Sequence, residues 1–456
     1  MAQVVLVSNG PGELYTWVRP VLEELRSNYP ELDVSISLIP CQFAGGNEPA
    51  IAATFQPDAL STPAQYLRAA AVGAAPQPLV ELAQRGGSTP EGSSDKGSGA
   101  PGGAAGGVVI GLGGNGAMAV ALGKRLGYPA YRYSFEPYWH AGLSGLLVPD
   151  ESVHKRALRA GAPSKLTQVV GNLVADAVKA SDPVDQRGEP HVLLFGGSRD
   201  GFALHLIPLM IAVADRLAAR LPGARFVWPV SRLLKEQTVR DGVAGVHAAT
   251  LGGVSGTLED GAVITPSGAR LELVDEESRY AHMRAADLAI TIPGTNTLEL
   301  GVAGVPSLVL LPMNQPELIP LEGAGHWLGL VPLVGRYLKR YAVKLFVEGL
   351  KVPVSLPNRI SGEELMEELR GRIDPTLVAD RALALLADEA DLARRRERLA
   401  ATMPGPGAAQ QLVRQVLAET GLTPRNGQAE PPAAQQAGVS AAGATYGPTT
   451  RDTTEA

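Results

Sequence analysis

Two short stretches about a hundred residues apart carry side chains suited to holding a diphosphate. In LLFGGSRDG, Gly196 and Gly197 let backbone N–H groups approach an anion, while Ser198 and Arg199 add a hydroxyl and a fixed positive fork where a helix should begin. In TIPGTNTLELGVAGVP, Gly294 frees the backbone after an apolar run, and Thr295, Asn296 and Thr297 offer hydroxyl and amide groups at a second expected helix start. Glu299 follows in the first helical turn, where a carboxylate can accept from two vicinal ribose hydroxyls. Each feature also has a plain structural reading: Arg199 in a surface ion pair, Glu299 as a counter-charge to the helix dipole. In MNQPE, Asn314 and Gln315 could read sugar hydroxyls or simply form the turn that Pro316 sets.

A group that takes a proton must come from the first half. NGPGELYTW carries Glu13 in a Pro/Gly turn after the opening strand. YSFEPYWH carries Glu136 and His140; a histidine beside aromatics suits a hydrogen-bonded wall residue as well as a base. GLGGNGAM sets Asn115 in a glycine turn, either a close strand-to-helix bend or a ligand seat. The dinucleotide fingerprint is incomplete: Gly10 and Gly12 supply two glycines, Tyr15 stands in the third place, and SISLIPC ends without an acid. There is no G-x-x-x-x-G-K-[ST], which excludes a P-loop nucleotidase.

The elements that must position these groups alternate between strand and helix. VVLVS, WVRPVLEELRSNYP and LDVSISLIP form one βαβ unit, and the alternation continues through KLTQVVGN. It restarts at HVLLFGGSRDG, with FALHLIPLMIAVADRLAARLP and ARFVWPV after it, so the chain predicts two α/β domains with parallel sheets, over 1–183 and 190–360. The polar KASDPVDQRGEPH at 179–191 reads as the linker, and GGSTPEGSSDKGSGAPGGAAGG at 86–107, with almost nothing to bury, as a mobile insert. Charged segments such as EELMEELRGR predict C-terminal helices over 361–420 that pack back across the domains, and 421–456 reads as a disordered tail.

Composition narrows the function. The 456 residues are 45% hydrophobic and 19% charged, enough for more than one core. A formal net charge of -6 leaves no global basic field to gather nucleic acid. The single cysteine, Cys41, fits a reducing cytoplasm. MAQVVLVSNGPG breaks into turn residues too early for a signal peptide, and no run approaches the ~18 uninterrupted apolar residues of a membrane span. Membrane contact would then be peripheral; RYLKRYAVKLFVEGLK, with Arg336, Lys339, Arg340 and Lys344, could lie on an anionic surface or pack on a core.

In their order along the chain, GGSR, PGTNTLELGVAGVP and above all SLPNRISGEELMEEL at 355–369 resemble the lipid-A-disaccharide synthase family. NGPGELYTW is similar in place and character to that family's glycine and glutamate turn, and VVGNLVAD to the strand and turn before its domain crossover. The resemblance covers most of residues 1–420, patchily. It implies a GT-B glycosyltransferase: two Rossmann-like domains facing a central cleft, a UDP-sugar donor held mainly by the C-terminal domain, and no required metal or cofactor. It further implies a lipid-linked or amphiphilic acceptor, a cytoplasmic site peripheral to the inner face of the membrane, and a homodimer through exchanged C-terminal segments.

Carried over by residue, Gly197, Ser198 and Arg199 would face the diphosphate, and Thr295, Asn296 and Thr297 the phosphate and sugar end. Glu299 would hold the ribose, while Gly12 and Glu13 would lie on the acceptor side. One departure bears on activity: where the family has an Asp-Ala-Pro-Asp stretch, this chain has GGNGAM, and the Asn115 amide takes no proton usefully near neutral pH. Glu13, Glu136 and His140 remain as candidate bases. Two other readings keep the fold: a UDP-sugar 2-epimerase-like enzyme, and a nucleotide-sugar-binding protein that has lost its base.

Overall fold

The structure is a computed structural model that describes residues 1–41, 46–85, 106–185, 190–314 and 352–422. The first sheet contains β1 (Gln3–Ser8), β2 (Asp33–Leu38), β3 (Ala59–Ser61), β4 (Gly107–Leu112), β5 (Ala130–Tyr133), β6 (Gly145–Val148) and β7 (Thr167–Val169). Their order is β3-β2-β1-β4-β5-β6-β7, every pair parallel. Val4, Val5, Leu6 and Val7 are all buried, as a strand covered on both faces requires.

The second sheet contains β8 (His191–Leu194), β9 (Arg225–Pro229), β10 (Thr257–Glu259), β11 (Ala262–Ile264), β12 (Arg270–Val274), β13 (Leu288–Thr291), β14 (Ser307–Pro312) and β15 (Glu367–Gly371). Here the order is β10-β11-β12-β9-β8-β13-β14-β15, parallel except where β11 meets β10 and β12.

Each sheet reverses its winding once. β1 pairs with both β2 and β4, and β8 with both β9 and β13. In such sheets the loops leaving the two central strands diverge and leave a crevice. Those loops carry Asn9–Glu13 and Gly113–Gly116 in one sheet, and Phe195–Arg199 and Ile292–Asn296 in the other. The helix Asp200–Ala218 has the length and apolarity of a membrane span, but Leu206, Leu209, Ile211 and Val213 are fully buried within the core of the second sheet.

Two expectations change. Residues 363–372 do not form a helix: Glu367–Gly371 is β15, paired from Leu308↔Glu367 to Pro312↔Gly371. Helix-favouring Glu, Leu and Arg lose here to the open edge of β14, whose backbone groups need partners, and Arg381 clasps Glu367 through two hydrogen bonds of 2.7 and 2.8 Å. The glycine insert ends earlier than its composition implies: Gly106 O accepts from Gln3 N and Gly107 opens β4, while 86–105 lie outside the described residues. The basic segment at 336–351, the four linker residues 186–189 and the tail from 423 also lie outside them.

The last helix, Ala408–Thr420, leaves the second sheet's neighbourhood and buries Leu412, Val413, Val416 and Leu417 in the core of the first. Its cap comes from another helix, Leu173–Lys179. Asp176 Oδ1 accepts from Gly407 N at 2.6 Å, and Oδ2 from Ala408 N and Ala409 N at 3.0 and 3.3 Å. Asp176→Ala should therefore destabilise the protein by about 1–2 kcal/mol in urea denaturation, and Asp176→Asn by less. An unchanged midpoint for Asp176→Ala would show that the cap contributes nothing.

Candidate functional site

A cavity of about 490 Å³ opens where the loops of the two sheets meet. Gly197, Ser198 and Arg199 form one wall and Gly294, Thr295 and Asn296 another, with Glu299 behind them. The two stretches, a hundred residues apart, thus share one hollow. Each wall runs into a helix start, Asp200–Ala218 after the first turn and Thr295–Ala303 after the second, which brings two positive dipole ends to the edge of the cavity. Gly197 makes the first turn possible: its φ of +84° is left-handed, and a Cβ there would press on Leu206.

The structure leaves some expected residues off the wall. Gly196 lies against the Trp228 indole. Thr297 is fully buried, its hydroxyl donating to Gly294 O at 2.7 Å and accepting from Leu356 N at 3.1 Å, so it does not face a ligand. Asn314 is held edge to edge with Ile373, donating to its carbonyl at 2.8 Å and accepting from its N–H at 2.9 Å, which is a structural use of the amide. Gln315 lies outside the described residues.

Glu299 is only 3% exposed. Tyr280 Oη donates to its Oε1 at 3.4 Å, and Arg279 forms an ion pair with its Oε2 and a second with Glu276. On the other side of Glu276, Arg232 pairs with Glu277 at 2.9 Å and donates its backbone N–H to Glu276 at 3.3 Å. Three arginines, Arg199, Arg232 and Arg279, and two carboxylates, Glu276 and Glu299, line the cavity, with Glu277 paired to Arg232 beside it. Burial lowers the proton affinity of Arg279 from its ordinary value, but a guanidinium starts so high that it stays charged. The residues Glu276, Arg279 and Tyr280 of DEESRYAHMR have no motif spacing; only their partner twenty residues on, Glu299, gives them meaning.

The first half closes the cavity with Gly12, Tyr15, Thr16 and Ile51. Leu14–Val18 is a π-helical turn, a form common beside functional sites, and it carries Tyr15 and Thr16 to the cavity wall. Gly12, Tyr15 and Thr16 of the opening NGPGELYTW turn thus border the same hollow as the two anion-suited turns, while Glu13 is not among the residues that line it.

The candidate bases lie around the ends of β1, β4 and β5. Glu13 packs against Gly10 and Gly113, and burial pushes its carboxyl above the ordinary range. Asn115 caps the helix Gly116–Leu126, its Oδ1 accepting from Ala117 N at 2.9 Å. Sequence reasoning overlooked Arg132, a mid-strand arginine of β5 that is 4% exposed. Its guanidinium donates to Gly114 O at 3.2 Å and Glu136 Oε2 at 3.0 Å, and lies 3.5 Å from His140 Nδ1. Burial, and then the Arg132 charge, hold His140 below its usual value, so it is a neutral imidazole at pH 7.

These features define the GT-B class, two Rossmann-like halves with a ligand crevice between them. The fold is shared with S. aureus MnaA in complex with UDP (TM-score 0.51, 14% identity, 93% of this chain and 98% of that one). It is shared equally with a UDP-N-acetylglucosamine 2-epimerase (TM-score 0.50, 14% identity, 92% and 97%). In sequence the chain is similar to several lipid-A-disaccharide synthases. It is 25% identical over 226 residues to that of Syntrophus aciditrophicus, covering 48% of this chain and 47% of the relative. To that of Anaeromyxobacter dehalogenans it is 27% identical over 226 residues (50% and 48%), and to that of Geobacter sulfurreducens 29% over 160 residues (33% and 35%). The chain spans about half the length of the first and second of these relatives and about a third of the last. No family model matches it.

Proposed function

We propose that the protein transfers a hexose from a UDP-sugar to a hydroxyl of a lipid-linked or amphiphilic acceptor. The observation that carries this reading is the single cavity in which Gly197–Arg199 and Gly294–Asn296 face each other in front of Glu299. As the glycosidic bond to the donor breaks, charge grows on the diphosphate; the two helix starts and Arg199 are fixed donors that meet it without a metal. Glu299, oriented by Arg279 and Tyr280, keeps lone pairs for the ribose hydroxyls.

The acceptor hydroxyl loses its proton to Glu13, whose carboxyl burial holds above its ordinary range, or to His140, whose imidazole burial and the Arg132 charge hold below its usual value. The Asn115 amide serves as a helix cap. Tyr138, 61% exposed two residues from His140, offers an apolar surface to an amphiphilic acceptor. Such an acceptor would bring the protein to the inner face of a membrane.

Calorimetric titration with UDP tests the donor half. Arg199→Ala and Glu299→Gln should each weaken binding roughly ten- to a hundredfold, the loss of one or two charge-assisted hydrogen bonds. No binding by the wild-type protein, or binding that ignores both substitutions, ends the proposal. Incubation with radiolabelled UDP-sugars and a lipid extract tests transfer. Conversion of UDP-N-acetylglucosamine alone would point instead to an epimerase, and UDP binding without any turnover to a protein that only holds the nucleotide sugar.

A further inference from the structure

The SLPN stretch, Ser355–Asn358, is not on the cavity wall, yet it is held by a dense set of hydrogen bonds. Glu368 of β15 accepts from Val354 N, Ser355 N and Ser355 Oγ at 2.9 Å each and from Asn358 Nδ2 at 3.1 Å. Asn358 in turn accepts from Leu365 N and Met366 N at 2.8 Å and donates to Met366 O at 2.7 Å. From this clamp one bond runs toward the cavity. Leu356 N–H donates to Thr297 Oγ1, and Thr297 Oγ1 donates to the carbonyl of Gly294, which stands on the cavity wall. One helical turn beyond Thr297, Pro357 packs on Gly301, where a Cβ would come within 2.7 Å of the proline ring. Thr297 and Gly301 share one face of the Thr295–Ala303 helix, so Leu356 and Pro357 grip it at two points.

We infer that Ser355–Asn358 is a splint that fixes the cavity-facing Gly294–Asn296 turn, and that Thr297 is the positioning residue through which it acts. The inference rests on the donor reading of the cavity for its ligand. Donors that meet growing charge must be aimed beforehand, and a turn can be aimed only if its far side is held. The Thr297 hydroxyl does both halves of that task, accepting from the splint and donating to the turn. A valine of the same shape does neither.

The test uses the full chain with Thr297→Val, which removes the hydroxyl, and Thr297→Ser, which keeps it. Amide hydrogen exchange over 294–299 is followed without ligand, and UDP is titrated. Thr297→Val should speed exchange of that segment by about tenfold and weaken UDP by about tenfold, while β1 and β4 exchange as in the wild type. Thr297→Ser should stay within about twofold of wild type in both readings. Unchanged exchange in Thr297→Val overturns the splint whatever UDP does, and so does faster exchange with undiminished affinity in a protein that binds UDP. Faster exchange with no UDP binding even by the wild type supports the splint and removes the donor reading instead. If Thr297→Val unfolds globally, Gly301→Ala, which pushes Pro357 away, reads the same segment: faster exchange over 294–299 supports the inference and unchanged exchange overturns it.

Discussion

Arg279→Met should destabilise the protein by about 3–5 kcal/mol, seen as a large fall in its urea midpoint. The size follows from what the guanidinium leaves behind. Glu276 and Glu299 have side chains only 7% and 4% exposed, and both are paired to Arg279, itself 15% exposed and stacked over Tyr280 at 5.0 Å. Methionine fills much of the space but supplies no charge, so two carboxylates would face each other with little water to screen them. Glu276 keeps the Arg232 N–H at 3.3 Å; Glu299 keeps only the long Tyr280 bond of 3.4 Å. Adding Glu299→Gln to Arg279→Met should therefore recover part of the loss, and the cycle of single and double variants reads the coupling directly. Equal midpoints for wild type and Arg279→Met would mean that the ion pairs add nothing. UDP affinity should fall as well, because Glu299 loses the partner that orients it.

The same network shows where sequence reasoning reached and where it stopped. The strand-to-helix alternation, the two glycine turns and Glu299 were legible because each is a local pattern: apolar period, a φ that favours glycine, polar groups at a helix start. Their convergence on one cavity follows from the reversal of strand order at β8 and β13, which no local pattern encodes. Arg279 and Arg132 were missed for a related reason. Each acts on groups from other turns, Glu299 twenty residues away and Gly114 eighteen, and a charged residue in or after a strand reads by default as solvent-facing.

Thr297 shows the opposite case, a polar residue at a helix start expected to face a ligand whose side chain already serves the backbone; Asn115, for which a bend and a ligand seat were both open, likewise caps its helix. The SLPN stretch was conspicuous as a motif, but its neighbour EELMEELRGR was read as a helix. With β15 placed as a strand, Glu368 comes under Ser355 and Asn358 and the motif becomes a clamp.

Acidification should weaken the protein through a pair of buried histidines, one of them a helical turn on from Arg279. His191, which opens β8, and His282 are 2% and 5% exposed, edge to face at 5.4 Å, with His191 Nε2 and His282 Nδ1 3.5 Å apart. Burial, the neighbouring His282 and then Arg225 push His191 down to about 4, with Asp287 and Glu272 opposing only in part. Burial and Arg225 lower His282 too, against Glu272 and Asp275. The unfolded chain takes up these protons near 6.5, the native chain only near 4 at His191. Between those values the unfolded state binds more protons, so stability rises with pH across the window and levels off above it. From pH 7.5 to pH 5 His191 alone should account for a loss of about 2 kcal/mol, and His282 adds to it. Carboxyls held above their ordinary range, Glu13 and Asp176, pull the other way on acidification, so the histidine share has to be read by difference. Denaturation of wild type and His191→Gln at pH 5, 6 and 7.5 gives that difference. The variant should start less stable at pH 7.5 and lose less on the way down, with the two curves converging near pH 5. Parallel curves would mean that His191 takes up its proton as readily in the folded chain as in the unfolded one.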